Sequence, residues 1–406
     1  MEKEAEEILE HLETNGFSAY KVGGCVRDQL LGYAIQDIDI ATSATPEQVM
    51  TLFPRVIPTG IKHGTVTVIG KCHSFEVTTF RLESSYSNHR QPDRVEFVVD
   101  IVQDLTRRDF TINAMALDRR GNLIDPYGGE LDLQRRILRA VGNPYDRFEE
   151  DALRILRGVR FSSRFLLTIE PSTWIAMTRL GRLLTAISRE RIRDELDKMI
   201  AGNHPGMACK RLSFPGFLPF QDVNELFSAE AVARLPLGIE LLPPISRWVG
   251  LFLHVGWEQQ QAEQFLRDWK FSNKFIQDNM KLFKIAKTTC QTPIVGKKLL
   301  LAYGLKHVLE GLQIKQWLTQ NDKICNVEKW KTWDAEIPIR HPGQLAVNGQ
   351  DLLNEFGGKP GPWIGQVIHT LFERVALYGI SNVQEILFAE ARKVLKTSEG
   401  TDTKPI

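Results

Sequence analysis

Val22-Gly-Gly-Cys-Val-Arg-Asp28, followed after a short gap by Asp37-Ile-Asp-Ile-Ala-Thr42, is the stretch on which the reading of this chain turns. Ala19 to Val22 has the character of a short buried strand. Gly23 and Gly24 break it, and a helical segment from Cys25 to Leu31, closed by Gly32, comes next. A glycine pair between strand and helix lets backbone N–H groups approach an anion, and the start of the helix adds its positive end. Arg27, in the first turn, can reach the same anion. Farther on, Ile35 to Ala41 alternates as a strand, so Asp37 and Asp39 share one face and Ile38 and Ile40 the other. Two carboxylates on one strand face, set against a phosphate cradle, suit a hard divalent cation such as Mg²⁺. Either half alone is commonplace, because glycine turns follow many strands and Asp-x-Asp is usually a solvated face.

Together, GGCVRDQLLG (23–32) and QDIDIATSA (36–44) resemble the signature of the nucleotidyltransferase superfamily. The branch is the one holding the bacterial tRNA nucleotidyltransferases and poly(A) polymerases. The resemblance runs on through GIKHGT (60–65), a form associated with the tRNA branch, FEVTTFR (75–81), DLTRRDFTINAMALD (104–118), EDALRILR (150–157) and ISRERIRDELDKMI (187–200). It returns in AVNGQDLLNEFGGKPGPWIGQVI (346–368), which is similar to the C-terminal tRNA-binding segment of those enzymes.

The fold this implies is α+β: a nucleotidyltransferase head with a mixed β-sheet over residues 1–140, then all-α neck (141–202), body (203–338) and tail (339–406), the tail binding tRNA. The implied reaction adds C, C and A to the 3′ end of tRNA from CTP and ATP, releasing pyrophosphate, with Asp37 and Asp39 holding two Mg²⁺ ions. Glu76 would be a third carboxylate, helping to deprotonate the attacking hydroxyl. Gly24, Arg27 and Arg108 would hold phosphates, Arg108 neutralising charge that develops on the leaving pyrophosphate. Asp151 and Arg154 would select the base, assisted by Arg157 and Arg160, while Glu190, Arg191 and Glu195 brace the selecting helix.

The chemistry of the selecting pair can be stated from the bases themselves. Cytosine and adenine share an edge on which an exocyclic amine donates beside a ring nitrogen that accepts. An aspartate accepts from the amine and an arginine donates to the nitrogen. Uracil and guanine present the reverse pattern and would leave buried partners unpaired. One amino-acid template can therefore admit CTP and ATP and refuse UTP and GTP. On a helical wheel over 149–161, Ala152, Leu153, Ile155, Leu156 and Val159 form the apolar face, with Asp151, Arg154 and Arg157 opposite and Arg160 at the border. Such a face is most often solvated helix surface; here the motif match gives it a role.

Composition sets the bounds. At 406 residues the chain is long for a single core, so several domains are expected. A net charge of +1 means that any RNA-binding surface is local. Five cysteines (Cys25, Cys72, Cys209, Cys290 and Cys325) lack paired spacing, against a disulfide framework or zinc site. No apolar run is long enough to span a bilayer and the start, MEKEAEE, is acidic, so a cytoplasmic protein without a membrane partner is expected.

Elsewhere, helices are expected over 1–14 and from Thr45 to Phe53, strands over 59–70 and 72–82, and a hairpin around Arg119-Arg120-Gly121-Asn122. Glu76, Thr78 and Phe80 should share a strand face. Glu83 to Arg94 is polar and aperiodic and reads as a mobile loop, and the last ten residues as disordered. From about Pro144 the period is helical. His254 is followed by Val255, so the His-Asp metal motif of some relatives is missing. Lys274, Lys281, Lys284 and Lys287 form a stripe that is either solvated surface or a phosphate contact.

Three other readings stay open: the A-adding member of a split CC/A pair, a poly(A) polymerase, and a catalytically silent RNA-binding protein. GIKHGT weighs against the second and the intact aspartates against the third. Oligomeric state, a homodimer included, is not legible.

Overall fold

Helix α1 (Glu2–Thr14) buries Ala5, Ile8, Leu9 and Leu12, the stripe its spacing calls for, and delivers the chain to strand β1 (Ala19–Val22). The computed structural model describes residues 1–87, 91–289, 292–322 and 324–399. It divides into two compact units, Met1–Glu240 with Gln264–Ser272, and Leu241–Glu263 with Asn273–Ile406. The last seven residues, and with them most of the expected disordered end, lie outside the described residues.

In the first unit, β1 leads through α2 (Gly24–Leu30) to β2 (Asp39–Thr42), then α3 (Pro46–Leu52), β3 (Val56–Gly60), β4 (Thr65–Ile69) and β5 (Ser74–Thr79). Thr45 starts α3 with a capping box to Gln48. Next come β6 (Arg81–Ser87), β7 (Gln91–Phe97), α4 (Ile101–Thr106), β8 (Ala116–Leu117) and β9 (Leu123–Ile124). Seven of these strands form one sheet in the order β3-β4-β5-β2-β1-β8-β9. The sheet is mixed, because β2 pairs parallel with β5 while the other ladders are antiparallel. Val22, Ala41, Phe80, Ile101, Leu105, Ala114, Ala116 and Val141 pack into a core against it.

Four local expectations change. The strand expected from Ile35 begins only at Asp39, yet burial alternates across both, with Ile38 and Ile40 buried and Asp37 and Asp39 exposed. GIKHGT does not continue a strand but turns between β3 and β4 through a 3₁₀ segment, Ile61–His63. Gly64 closes that turn at φ +78°, where a Cβ would stand 2.8 Å from the Phe97 ring. Phe80 leaves the Glu76 face, because the ladder ends at Thr79 and the ring is buried. The segment read as a mobile loop is instead a two-stranded ribbon, β6 against β7, from Arg81↔Phe97 to Ser87↔Gln91, with residues 88–90 outside the described set.

The helices that follow are α5 (Gly129–Gln134), α6 (Pro144–Glu150), α7 (Leu153–Arg164), α8 (Pro171–Leu180), α9 (Arg189–Ala201) and α10 (Pro205–Leu212). The 149–161 helix of the sequence reading is thus two helices. Asp151 sits at the break with extended backbone (φ −138°, ψ 103°), and its Oδ1 accepts from Leu153 N at 3.1 Å. A short acidic side chain that captures a backbone N–H competes with helix continuation. The apolar face is as expected, with Ala152, Leu153, Ile155, Leu156 and Val159 all buried.

In the second unit, Ile285, Leu312, Trp330, Leu352 and Leu371 belong to one core, against which Trp363 packs half-buried. The Trp363 Nε1 donates to Lys359 O at 3.1 Å. Two of the four stripe lysines are paired, Lys281 with Asp278 and Lys287 with Glu258. The His254 ring lies 6.4 Å from that of Trp317. Among the described residues no helix is long and apolar enough to cross a membrane.

Gly158 of α7 is where the neck closes on the head. A Cβ there would stand 2.9 Å from both Met177 Cε of α8 and Phe110 Cζ. Gly158→Val overfills this contact and is expected to destabilise the first unit by about 1–3 kcal/mol, read as a lower urea midpoint at unchanged slope.

Candidate active site

The sheet register gathers the candidate residues at one end. Val22, the last residue of β1, pairs with Asp39, the first of β2, so the glycines after β1 and Asp37 before β2 fall side by side. Across the parallel ladder Asp39 is in register with Glu76, which puts the two carboxylates on the same face. Partial burial of its carboxyl, then the charges of Glu76 and Asp37, raise the Asp39 pKa above its ordinary value, and Arg108 pulls it back. Three carboxylates and an arginine therefore share one electrostatic neighbourhood.

Gly23 adopts φ +73°, and a Cβ there would stand 2.8 Å from Arg108 Nη1. Only glycine admits both that backbone and the guanidinium lying against it. Arg108 donates through Nη1 to Asn113 O (3.2 Å) and through Nη2 to Asp104 Oδ2 (3.3 Å), while its buried Nε has no partner among the described residues. Asp104 is fully buried. Burial works to raise its pKa, but Arg107 and Arg108 more than offset this and hold it low. Arg27 is placed differently from the free anion ligand of the sequence reading. It is buried, donates to Asn113 Oδ1 (2.6 Å) and Asp28 Oδ1 (2.8 Å), and lies over the Phe165 ring at 4.6 Å. Its Nη2 is 3.5 Å from where a Gly24 Cβ would be, so it stands beside the glycine pair.

The selecting residues are tied into the head and neck. Arg154 is buried, not solvated; it donates to Glu150 Oε2 (2.7 Å), Arg147 O (3.1 Å) and Arg107 O (2.9 Å). Arg157 pairs with Asp109 Oδ2 (2.7 Å) and Arg160 with Glu195 Oε2 (2.6 Å). Asp151 Oδ2 accepts from Arg191 Nη2 (2.8 Å), and the buried Arg191 Nη1 has no partner among the described residues. Arg191 and Glu195 thus stand where bracing was expected. Asp104, Glu150 and Asp109, which hold three of the arginines, had no assigned role; Asp104 to Arg108 and Glu150 to Arg154 are i,i+4 pairs that spacing could have found, whereas nothing local marks Asp109.

For a divalent cation the donor chemistry fits. Among the described residues no three His, Cys, Asp or Glu side chains form a metal-holding group. Magnesium asks less of a protein, taking one or two carboxylates and completing its shell from water and substrate phosphates. Asp37 and Asp39 would hold it, and the crowding that raises the Asp39 pKa is what a cation would relieve.

Known proteins resemble this chain along its whole length. A poly(A) polymerase head-domain model matches residues 19–139, and a model for domain 2 of tRNA nucleotidyltransferases matches 244–391. The CCA-adding enzyme of Geobacillus stearothermophilus is 36% identical over 400 residues, 98% of each chain. That of Lactococcus lactis is 37% identical over 401 residues, 97% of each. The chain belongs to the CCA-adding enzymes. It is a tRNA nucleotidyltransferase of the poly(A) polymerase family. The crystal structure of the Bacillus stearothermophilus CCA-adding enzyme in complex with CTP superposes with a TM-score of 0.86 at 35% identity, over 98% of this chain and 99% of that one. For this CCA-adding family member the α+β head and helical remainder are therefore as the sequence implied.

The Asp109–Arg157 pair gives a pH test. Burial would raise the Asp109 pKa, but Arg157, then Asn113 and Arg154, hold it at about 2, against 3.8 for a free side chain. A depressed folded-state pKa adds stability that is present above pH ~4 and lost as pH falls through 2, on the order of 2 kcal/mol. Asp109→Asn should lower stability at pH 7 by about 2 kcal/mol, less than for a fully buried pair because Arg157 keeps part of its hydration, and should flatten the loss between pH 4 and 2 in acid-unfolding curves.

Proposed function

We propose that this enzyme adds and repairs the 3′-terminal CCA of tRNA from CTP and ATP in a single active site, without a nucleic-acid template. The observation that carries the reading is the register Val22–Asp39–Glu76, which sets the carboxylates beside Gly23 and Arg108. Support for the substrates comes from relatives named for CCA addition, including one crystallised with CTP. When bound at Asp37 and Asp39, Mg²⁺ would supply Lewis-acid polarisation of phosphate oxygens and a more acidic hydroxyl. Glu76 accepts the proton of the attacking 3′ hydroxyl. Arg108, with an unpartnered Nε, and the Gly23–Gly24 turn neutralise the triphosphate and the departing pyrophosphate; Arg27 holds the turn and, beside Gly24, the phosphates.

In the same reading Asp151 accepts from the amine of C or A and Arg154 donates to the ring nitrogen. Arg191 fixes the Asp151 carboxylate, and Arg157 and Arg160 hold the helix. Arg154 also donates to Arg107 O, so a base that draws on this guanidinium bears on the contact between α7 and the segment before Arg108.

Asp37→Ala or Asp39→Ala should abolish nucleotide addition, by at least 10³-fold on the scale of lost transition-state charge stabilisation, and leave the tRNA dissociation constant nearly unchanged. Near-normal turnover in either variant contradicts the metal assignment. Asp151→Ala should cut the rate and also weaken rejection of UTP and GTP, measured as ratios of kcat/KM; a slow variant as strict as the parent would place selection elsewhere.

A further inference from the structure

A cleft of about 550 Å³ opens between α7, the end of α9 and the segment just before Asp37. Its walls include Gln36, Arg160, Arg164, Lys198, Asn203 and His204. Among the described residues no carboxylate lines it, and of the residues read as holding metal or nucleotide only Arg160 does. We propose that this cleft binds the phosphodiester backbone of the RNA strand immediately behind the reacting 3′ end, a reading that rests on the nucleotidyl-transfer function above.

The chemistry of the walls chooses between the two polyanions such an enzyme must hold. A nucleoside triphosphate travels with Mg²⁺ and needs carboxylates close by to share the ion. Those carboxylates, Asp37, Asp39 and Glu76, lie outside the cleft. An RNA phosphodiester carries a single charge and needs only cations and N–H donors, which is what these walls present. Gln36 adjoins Asp37, so a strand lying in the cleft reaches the carboxylates at its 3′ end.

The two arginines are preset. Arg160 lies 4.3 Å over the Phe161 ring and Arg164 4.9 Å over the Phe165 ring, and the two buried rings are stacked. A guanidinium held flat on a ring offers its in-plane N–H edge for bidentate phosphate contact. Glu195 neutralises Arg160 at 2.6 Å, whereas Asp28 stands 3.9 Å from Arg164. Lys198 is exposed and makes no ion pair among the described residues. Arg164 and Lys198 are therefore the charges free to meet an incoming phosphate.

The test uses the full-length enzyme with Lys198→Gln, Arg164→Gln and the double variant, thermal unfolding confirming that each folds. Three quantities are measured: affinity for tRNA ending in CC, affinity for the same tRNA stripped of its 3′ single strand, and KM for ATP. The expected result is that the double variant binds CC-ended tRNA about tenfold more weakly. Its plot of log affinity against log salt should flatten by roughly 0.7 per cation lost. Binding of the stripped tRNA and KM for ATP should stay at parental values, and Lys198→Arg should restore the single-variant loss. A rise in KM for ATP with RNA affinity unchanged would assign the cleft to the triphosphate and overturn the proposal, as would no change in any quantity. Loss of affinity for both tRNAs alike would place the contacts on the duplex and overturn it too. A parent enzyme that adds no nucleotide to any tRNA would instead refute the function itself.

Discussion

One parallel ladder holds the catalytic end of this molecule in place. In a sheet whose other pairings are antiparallel, β2 runs alongside β5, and the register sets Asp39 opposite Glu76. Parallel neighbours need a crossover, and residues 43–73 supply it through α3, β3 and β4. The ladder brings like charges together: Asp39 is harder to ionise than a free aspartate because its carboxyl is partly desolvated and because Glu76 and Asp37 face it. A site built from mutual repulsion has its stability elsewhere, in Ile38, Ile40, Phe75 and Val77, all fully or nearly buried beneath the carboxylates. The carboxylates are therefore held in place by the core beneath them before anything binds.

The second constraint is a set of ion pairs around α7, one of which, Asp109 to Arg157, ties the neck to the head. Asp109 to Arg157, Glu150 to Arg154 and Glu195 to Arg160 each hold in one orientation a cation that the helical wheel puts opposite the apolar face or, for Arg160, at its border. Such pairs give little net stability against apolar replacements, since desolvation consumes most of the attraction. What they confer is position. Arg154 reaches the carbonyl of Arg107, the residue before Arg108, so the side chain read as choosing the base and the one read as holding its phosphates are mechanically adjacent. Arg108 itself is aimed by Asp104 and by the missing Cβ of Gly23.

Much of this was legible in sequence because the informative patterns are short. Val-Gly-Gly, Asp-x-Asp and the alternation around Glu76 each reveal a face within a few residues, and the apolar stripe of α7 does so within three turns. The partners were not legible for the opposite reason. Asp151 and Arg191 are 40 positions apart, Asp109 and Arg157 are 48, and Arg107 and Arg154 are 47, distances over which no period carries information. The helix break at Asp151 was hidden because its neighbours keep helical spacing across it. The β6–β7 ribbon was missed over Glu83 to Arg94 because that stretch is polar and has no apolar alternation.

The account stands on one active site that takes cytosine twice and then adenine by presenting the same protein-made edge. The direct measurement offers tRNAs ending before the first C, after C and after CC to the purified enzyme, each with one labelled nucleoside triphosphate at a time. The account predicts C on the first two, A on the third, and no measurable incorporation of U or G. Incorporation of A alone, confined to CC-ended tRNA, would contradict it and assign this chain to the last step only.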